Sequence, residues 1–275
     1  MSERKGHIKI SGRMSALIAL VTPGQRLADV GCDHGYIPIY LCREGIIPSA
    51  IAMDINPGPL ARAQDHIAAC GLRERIQTRL SDGLKELGEN EADAVLIAGM
   101  GGFLMRRILC EEGAVPENVS ELVLQPQSDA DEVRRCVREI GFVIADEDMV
   151  EEDGKFYPMM KARRRPPERG WEQGKTVSGE QHTERGRSPE PERAGQSGWE
   201  ILCEDMFGPV LLRKRHPVLL RWLERELKTT EAILSRLNAE SADRERNGRL
   251  AVRKREITER YELLLYVLKH YFRTA

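Results

Sequence analysis

The chain has 275 residues, 41% hydrophobic and 31% charged, with a formal net charge of −2. That length suits one large domain with a small appendage, and no apolar run approaches the roughly 18 residues that span a bilayer. The polar start, Met1 to Arg13, has neither the apolar stretch nor the cleavage site of a signal peptide, so a cytoplasmic protein without membrane contact is expected.

Six cysteines are scattered and none forms a C-x-x-C pair, so reduced thiols are expected and no metal site. The charge is unevenly spread. Residues 211–275 carry 16 Lys/Arg against 9 Asp/Glu, and residues 1–210 carry 26 against 35. A basic tail on an acidic body suits a polyanion partner. A solvated helix pair with surplus arginine fits equally, and both readings stay open.

Taken in order, Ser11 to Val21 has Met14, Leu17, Ile18 and Val21 at helical spacing, and Pro23-Gly24 ends it. Leu27 to Val30 reads as a short buried strand. It runs through Gly31-Cys32-Asp33-His34-Gly35-Tyr36 into a helix over Ile37 to Leu41. Gly31 and Gly35 bracket this turn, where a missing Cβ lets a ligand approach the backbone. The first turn of the following helix offers unpaired N–H groups. A dinucleotide site would read G-x-G-x-x-G; here the pattern is D-x-G-x-D-x-G. Its carboxylates, Asp29 and Asp33, would repel a diphosphate and suit a ligand with an ammonium and a sulfonium, S-adenosylmethionine (SAM). A generic glycine turn without ligand is the other reading of these ten residues.

Ala50 to Asp54 is a second buried strand, and Asp54 stands where a ribose is held in doubly wound sheets. Asn56 and Pro57 open a helix to about Cys70. Ile76 to Leu80 is a third strand followed by Asp82-Gly83, whose carboxylate suits an adenine amino group. Asp93 to Ala98 is a fourth strand, running into Gly99-Met100-Gly101-Gly102, then a helix over Phe103 to Cys110. Glu121 to Pro126 is a fifth strand, stopped by proline, and Asp129 is placed to cap the next helix. Phe142 to Ala145 and Lys155 to Lys161 read as an antiparallel pair joined by an acidic loop. Alternation of strand and helix predicts an α/β fold, a Rossmann-like sheet that is mostly parallel with one antiparallel edge.

Residues 163–198 are almost devoid of aliphatics and read as a disordered insertion, in which Arg163-Arg164-Arg165 reads as a solvated charge run, with contact to phosphate as the other reading. Order resumes at Glu200 to Leu212 with a turn at Phe207-Gly208-Pro209. Pro217 to Asn238 and Asp243 to Tyr271 then read as two long helices in an antiparallel, coiled-coil-like hairpin. The expected domains are therefore 1–212, a SAM-binding domain, and 213–275, a helical one, in a monomer or weak dimer.

The blocks D-V-G-C-D-H-G-Y-I-P-I-Y-L, I-A-G-M-G-G, L-V-L-Q-P-Q, E-E-D-G-K-F-Y and M-F-G-P-V-L-L together resemble the bacterial TrmK-type tRNA (adenine-N1)-methyltransferases. The similarity runs from about Ser11 to Leu212. It departs from that family in the 163–198 insertion and at Gly35, where alanine is common. The resemblance implies a class I SAM domain, a helical C-terminal domain and tRNA methylated at adenine-22. It also implies the methionine part of SAM near Asp29, Gly31, Asp33 and His34, the ribose at Asp54, the adenine at Asp82 and Gly83, and Gly99-Met100 beside the transferred methyl.

The N1 atom of neutral adenine has an in-plane lone pair and no proton, so its methylation needs alignment and exclusion of water but no general base. The chain accordingly lacks the (Asn/Asp)-Pro-Pro-(Tyr/Phe) tetrapeptide found after strand four in many enzymes that methylate the exocyclic nitrogen. The backbone of Gly99 to Gly102, Gly101 included, and Gln125 are expected to frame the base edge, and His34 and Tyr36 to stack on or steer it. A His34 that merely pins the loop is an equal reading. A nicotinamide dehydrogenase fails on the glycine spacing. A non-catalytic RNA-binding adaptor and a methyltransferase acting on another RNA base stay open.

Overall fold

A computed structural model describes residues 10–110, 115–166, 198–241 and 248–272. Seven strands form one sheet: β1 (Leu27–Val30), β2 (Ala50–Asp54), β3 (Ile76–Leu80), β4 (Ala94–Gly101), β5 (Glu121–Ser128), β6 (Phe142–Glu152) and β7 (Lys155–Arg164). Their order is β3-β2-β1-β4-β5-β7-β6, parallel from β3 to β5 and antiparallel at the β7-β6 edge. The helices between are α1 (Gly12–Leu20), α2 (Tyr36–Arg43), α3 (Pro57–Ala69), α4 (Gly102–Cys110) and α5 (Ala130–Glu139). Strand residues alternate between two cores. Leu27 and Leu96 pack with Leu17, Ile39 and Ile67 on one face, while Ala28, Val95 and Ile97 pack with Met105 and Val133 on the other. Both faces are covered, which is why β1 and β2 are buried at every residue. The order reverses between β1 and β4, and ligands of such sheets bind outside the strand ends at that point.

Several details differ from the sequence reading. Pro126 does not stop β5. The strand stays paired with β4 as far as Ser128, while β7 leaves it after Leu124, so a residue without an N–H costs no ladder bond on that side. The acidic stretch after Ala145 is not a loop. It continues β6 in register with β7, and the turn is only Asp153-Gly154, both at positive φ. Asp129 stands at the N-cap of α5 but in a left-handed conformation, and its side chain makes no capping bond. Cys110 and Cys136 are joined by a disulfide between α4 and α5, where reduced thiols were expected; their spacing carried no sign of it.

Of the expected disordered insertion, Arg163 and Arg164 belong to β7 and Gly198 opens the next helix; 167–197 lie outside the described residues. Arg164 is not a solvated charge. Its guanidinium donates to Val119 O and Pro116 O and lies over the Phe142 ring.

Helices α6 (Gly198–Phe207), α7 (Pro209–Arg213), α8 (Pro217–Ser241) and α9 (Gly248–Val267) build a third core. The start of α8 (Leu219, Leu223) meets the end of α9 (Leu263, Leu264, Val267), so the pair is antiparallel, and the cluster rests on Met149 of β6. A buried ion pair ties it down. Arg134 Nε donates to Glu147 Oε1 at 2.8 Å, Val210 N donates to Glu147 Oε2 at 2.8 Å, and Arg134 Nη1 donates to Asp205 O at 2.8 Å. Among the described residues, no helix is long and apolar enough to cross a membrane.

Candidate functional site

A cavity of about 310 Å³ opens at the switch point. Its walls are Asp29 from β1, Gly31, Asp33, His34 and Tyr36 from the turn into α2, Gly99 from β4, and Gln125 and Gln127 from β5, with Arg13, Met14 and Leu17 of α1 on the remaining side. The β1 turn is fixed by Gly31 N and Cys32 N, which both donate to Met53 O, at 2.8 and 3.0 Å. Gly31 has φ +74°, and a Cβ there would overlap Met100 Cε. Glycine is therefore required twice over, by conformation and by the Met100 side chain filling the space.

Asp29 is the electrostatic centre. It is 4% exposed, and burial pushes its carboxyl up to about 7, with the Asp54 carboxylate adding to the rise. Two acids buried so near one another favour a cationic ligand. The same surroundings raise the Cys32 thiol, mainly through burial, and leave it inert at neutral pH. Gln125 is fully buried. Its Nε2 donates to Pro126 O at 2.9 Å, while its Oε1 makes no hydrogen bond. A buried acceptor without a donor on a cavity wall suits a ligand N–H. The His34 Nδ1 is likewise buried and without a bond.

Asp33 differs from Asp29. Its side chain is 65% exposed, with Arg62 Nη2 3.4 Å and His34 Nε2 3.5 Å away. The buried acid is thus one residue rather than the pair suggested by the motif. His34, Tyr36 and His66 form a ring cluster with centroids 5.2 to 5.6 Å apart, and His66 Nδ1 lies 3.1 Å from His34 O. Their faces are largely turned to one another.

The remaining predicted residues do not line this cavity. Asp54 is 8% exposed at the end of β2, one strand over, and accepts from Asn56 N at 2.8 Å. Asp82 lies further along the edge, where Lys85 Nζ donates to it at 2.7 Å and lowers its pKa, with Arg107 3.4 Å away. Gly83, at φ +65°, backs onto Ile108. Gly35 is the N-cap of α2 and packs on Ala63. Gly101 follows Met100 along β4, near Ser128 Oγ. Gly102 faces the next loop, where a Cβ would come within 2.6 Å of Ser128 O and closer still to Asp129 O.

Gln127, Arg13, Met14 and Leu17 were missed by sequence reasoning. Gln127 was detectable, since i and i+2 on a strand share a face and Gln125 was already chosen. The α1 residues carried no signal. They arrive because Arg13 N donates to Glu152 Oε2 at 3.0 Å and the Arg13 guanidinium lies over Tyr157, which hold α1 on the β6–β7 hairpin.

Residues 10–160 match the family described as "Methyltransferase domain". The tRNA (adenine(22)-N(1))-methyltransferase of Bacillus subtilis strain 168 is 29% identical over 96% of this chain and 98% of its own length. The crystal structure of the B. subtilis M1A22 tRNA methyltransferase TrmK superposes with a TM-score of 0.75, at 28% identity, covering 95% of this chain and 100% of that one. Streptococcus pneumoniae Sp1610 in complex with S-adenosyl-L-methionine gives a TM-score of 0.71 at 30% identity, over 94% of this chain and 100% of that one. The chain belongs to the methyltransferase-domain family, and within it to the TrmK-type tRNA (adenine-N1)-methyltransferases.

Proposed function

We propose that this protein transfers a methyl group from SAM to N1 of an adenine in tRNA, at the position matching adenine-22 of its relatives. When bound, the cofactor supplies the sulfonium methyl. The observation that carries the reading is Asp29, a carboxylate buried at the switch point beside Asp54, with no cationic side chain bonded to it among the described residues. Asp29 and the Gly31 turn would hold the cationic methionine end, and Asp54 the ribose hydroxyls. Asp82 and Gly83 would hold the adenine, with Asp82 first released from Lys85. Gly99, Gly101 and Met100 would form the wall beside the reacting atoms. Gln125, whose Oε1 lacks a donor, would accept from the exocyclic amino group of the target base. His34 and Tyr36 would steer at the rim. The chain needs to move no proton before attack, because N1 carries none.

We read residues 1–212 as the SAM-binding unit and 213–275 as a coiled-coil-like helical unit that contacts the tRNA backbone, in a monomer or weak dimer of the cytoplasm. Arg249 and Arg253 are exposed on α9 and suit phosphates. Mass spectrometry of tRNA nucleosides from cells with and without the gene tests the activity. Loss of 1-methyladenosine at one tRNA position is expected, and an unchanged 1-methyladenosine content would reject it.

A further inference from the structure

A second cavity of about 460 Å³ shares one wall residue with the first, Gln127 near the end of β5. The second is walled by the β5–α5 turn, by Phe156 of β7, by Phe207 of α6, by Trp222 of α8 and by Arg260 of α9. Phe156 and Trp222 are partly exposed. Trp222 leans on buried Phe207 with ring centroids 5.9 Å apart, and the Arg225 guanidinium lies 5.6 Å from the Phe156 ring centre.

We propose that this cavity receives the target adenine itself, turned out of the folded tRNA and stacked against Trp222 and Phe156, with its N1 edge facing the boundary at Gln127. The assignment rests on the methyl-transfer reading above. An adenine in a folded RNA must leave its stack before N1 can react, and a protein that holds it out offers aromatic faces in return. The cofactor cavity is a poor source of such faces, because His34 and Tyr36 are stacked with each other and with His66. The neighbouring cavity has Trp222 and Phe156 on its walls.

Two further observations agree. The boundary is closely packed. Gly102 lies so near Ser128 O and Asp129 O that a Cβ would have no room there, and Asp129 takes a left-handed conformation at φ +51°. Close packing of the β4 and β5 ends suits the alignment of a base with a methyl. The charge also suits an extruded nucleotide. Arg260 lines the cavity and Arg225 stands beside its Phe156 wall; both are exposed, Arg260 with its Nη2 2.6 Å from Glu226, and cations there match the phosphates on either side of the base.

The test uses the full chain with S-adenosylhomocysteine and tRNA carrying 8-azidoadenine at the methylated position. Photocrosslinks to peptides containing Phe156 or Trp222 are expected; crosslinks confined to the Gly31–Tyr36 turn overturn the assignment. In parallel, Trp222→Leu and Phe156→Leu are each expected to lower kcat/KM for tRNA about tenfold, the scale of one base–aromatic stack. Their SAM affinity by calorimetry should stay unchanged, and Trp222→Phe should restore most of the rate. A Trp222→Leu enzyme of wild-type kcat/KM overturns the proposal. So does a loss that follows tRNA affinity alone while the crosslink stays in place without Trp222. If the wild-type enzyme leaves tRNA unmethylated, the earlier reading has failed. If it methylates and crosslinks elsewhere, only this site has failed.

Discussion

Asp29 shows how much one residue's setting decides. Free in water, an aspartate titrates near about 3.9. In β1, with water removed and Asp54 nearby, it is pushed up to about 7. The protonated form is favoured in the ligand-free fold. Its contribution to stability is therefore complete below about pH 4 and is lost as the pH rises through about 7. A bound cation reverses that preference and draws the proton off. SAM affinity is expected to rise by up to about tenfold from about pH 6 to about pH 8 and then level off. Asp29→Asn should bind more weakly and lose most of that slope. Calorimetry across this range checks it, and parallel profiles for the two proteins would disprove the role of Asp29.

At the scale of elements, the β6–β7 hairpin joins two halves of the molecule. Several of its acidic side chains, read from sequence as part of an acidic loop, are engaged. Asp146 pairs with Lys214 at 2.6 Å, Asp148 with His216 at 3.0 Å and Glu151 with Arg221 at 2.9 Å. The partly exposed pairs among these are each worth little, at most about 1 kcal/mol. Glu147 is different, because it and Arg134 are both buried. Removing one partner strands a charge where water cannot reach it. Glu147→Ala is expected to destabilise the protein by about 3–5 kcal/mol. Urea denaturation measures this, and a change under about 1 kcal/mol would mean that the pair does not tie α5, β6 and α7 together.

At the scale of the whole molecule, the basic surplus of residues 211–275 divides in two. One share, Lys214 and Arg221 among it, is spent within the chain on the acidic hairpin. Another share, including Arg249 and Arg253, faces outward on α9. Replacing both with Gln is expected to weaken tRNA binding several-fold at low salt, and to reduce the slope of log Kd against log salt by about one for each phosphate no longer neutralised. SAM affinity should not move. Filter binding at several salt concentrations decides it, and an unaltered slope would remove α9 from the interface. Full deletion of 213–275 would be a poor test, since it would strip Leu219, Leu223 and Leu264 from the core resting on Met149.

By itself the sequence determined the sheet, the order of its elements and the loops that matter. Those features are local: apolar runs of four to eight residues, glycine turns and a proline at Pro57 follow from backbone sterics and period. It also pointed to the cofactor, because a carboxylate in place of a phosphate-binding glycine is chemistry readable in ten residues. Tertiary structure decided the rest. Nothing near Asp33 in sequence says that Arg62 meets it, and nothing in Gly12–Leu20 says that Met14 and Leu17 reach the cavity. Asp129 stands at the N-cap of α5 without a capping bond because its backbone is left-handed there, and Pro126 stayed in a strand because β7 departs at Leu124. Burial, pairing and the sharing of Gln127 by two cavities depend on residues far apart in the chain, which only the closed fold brings within reach of one another.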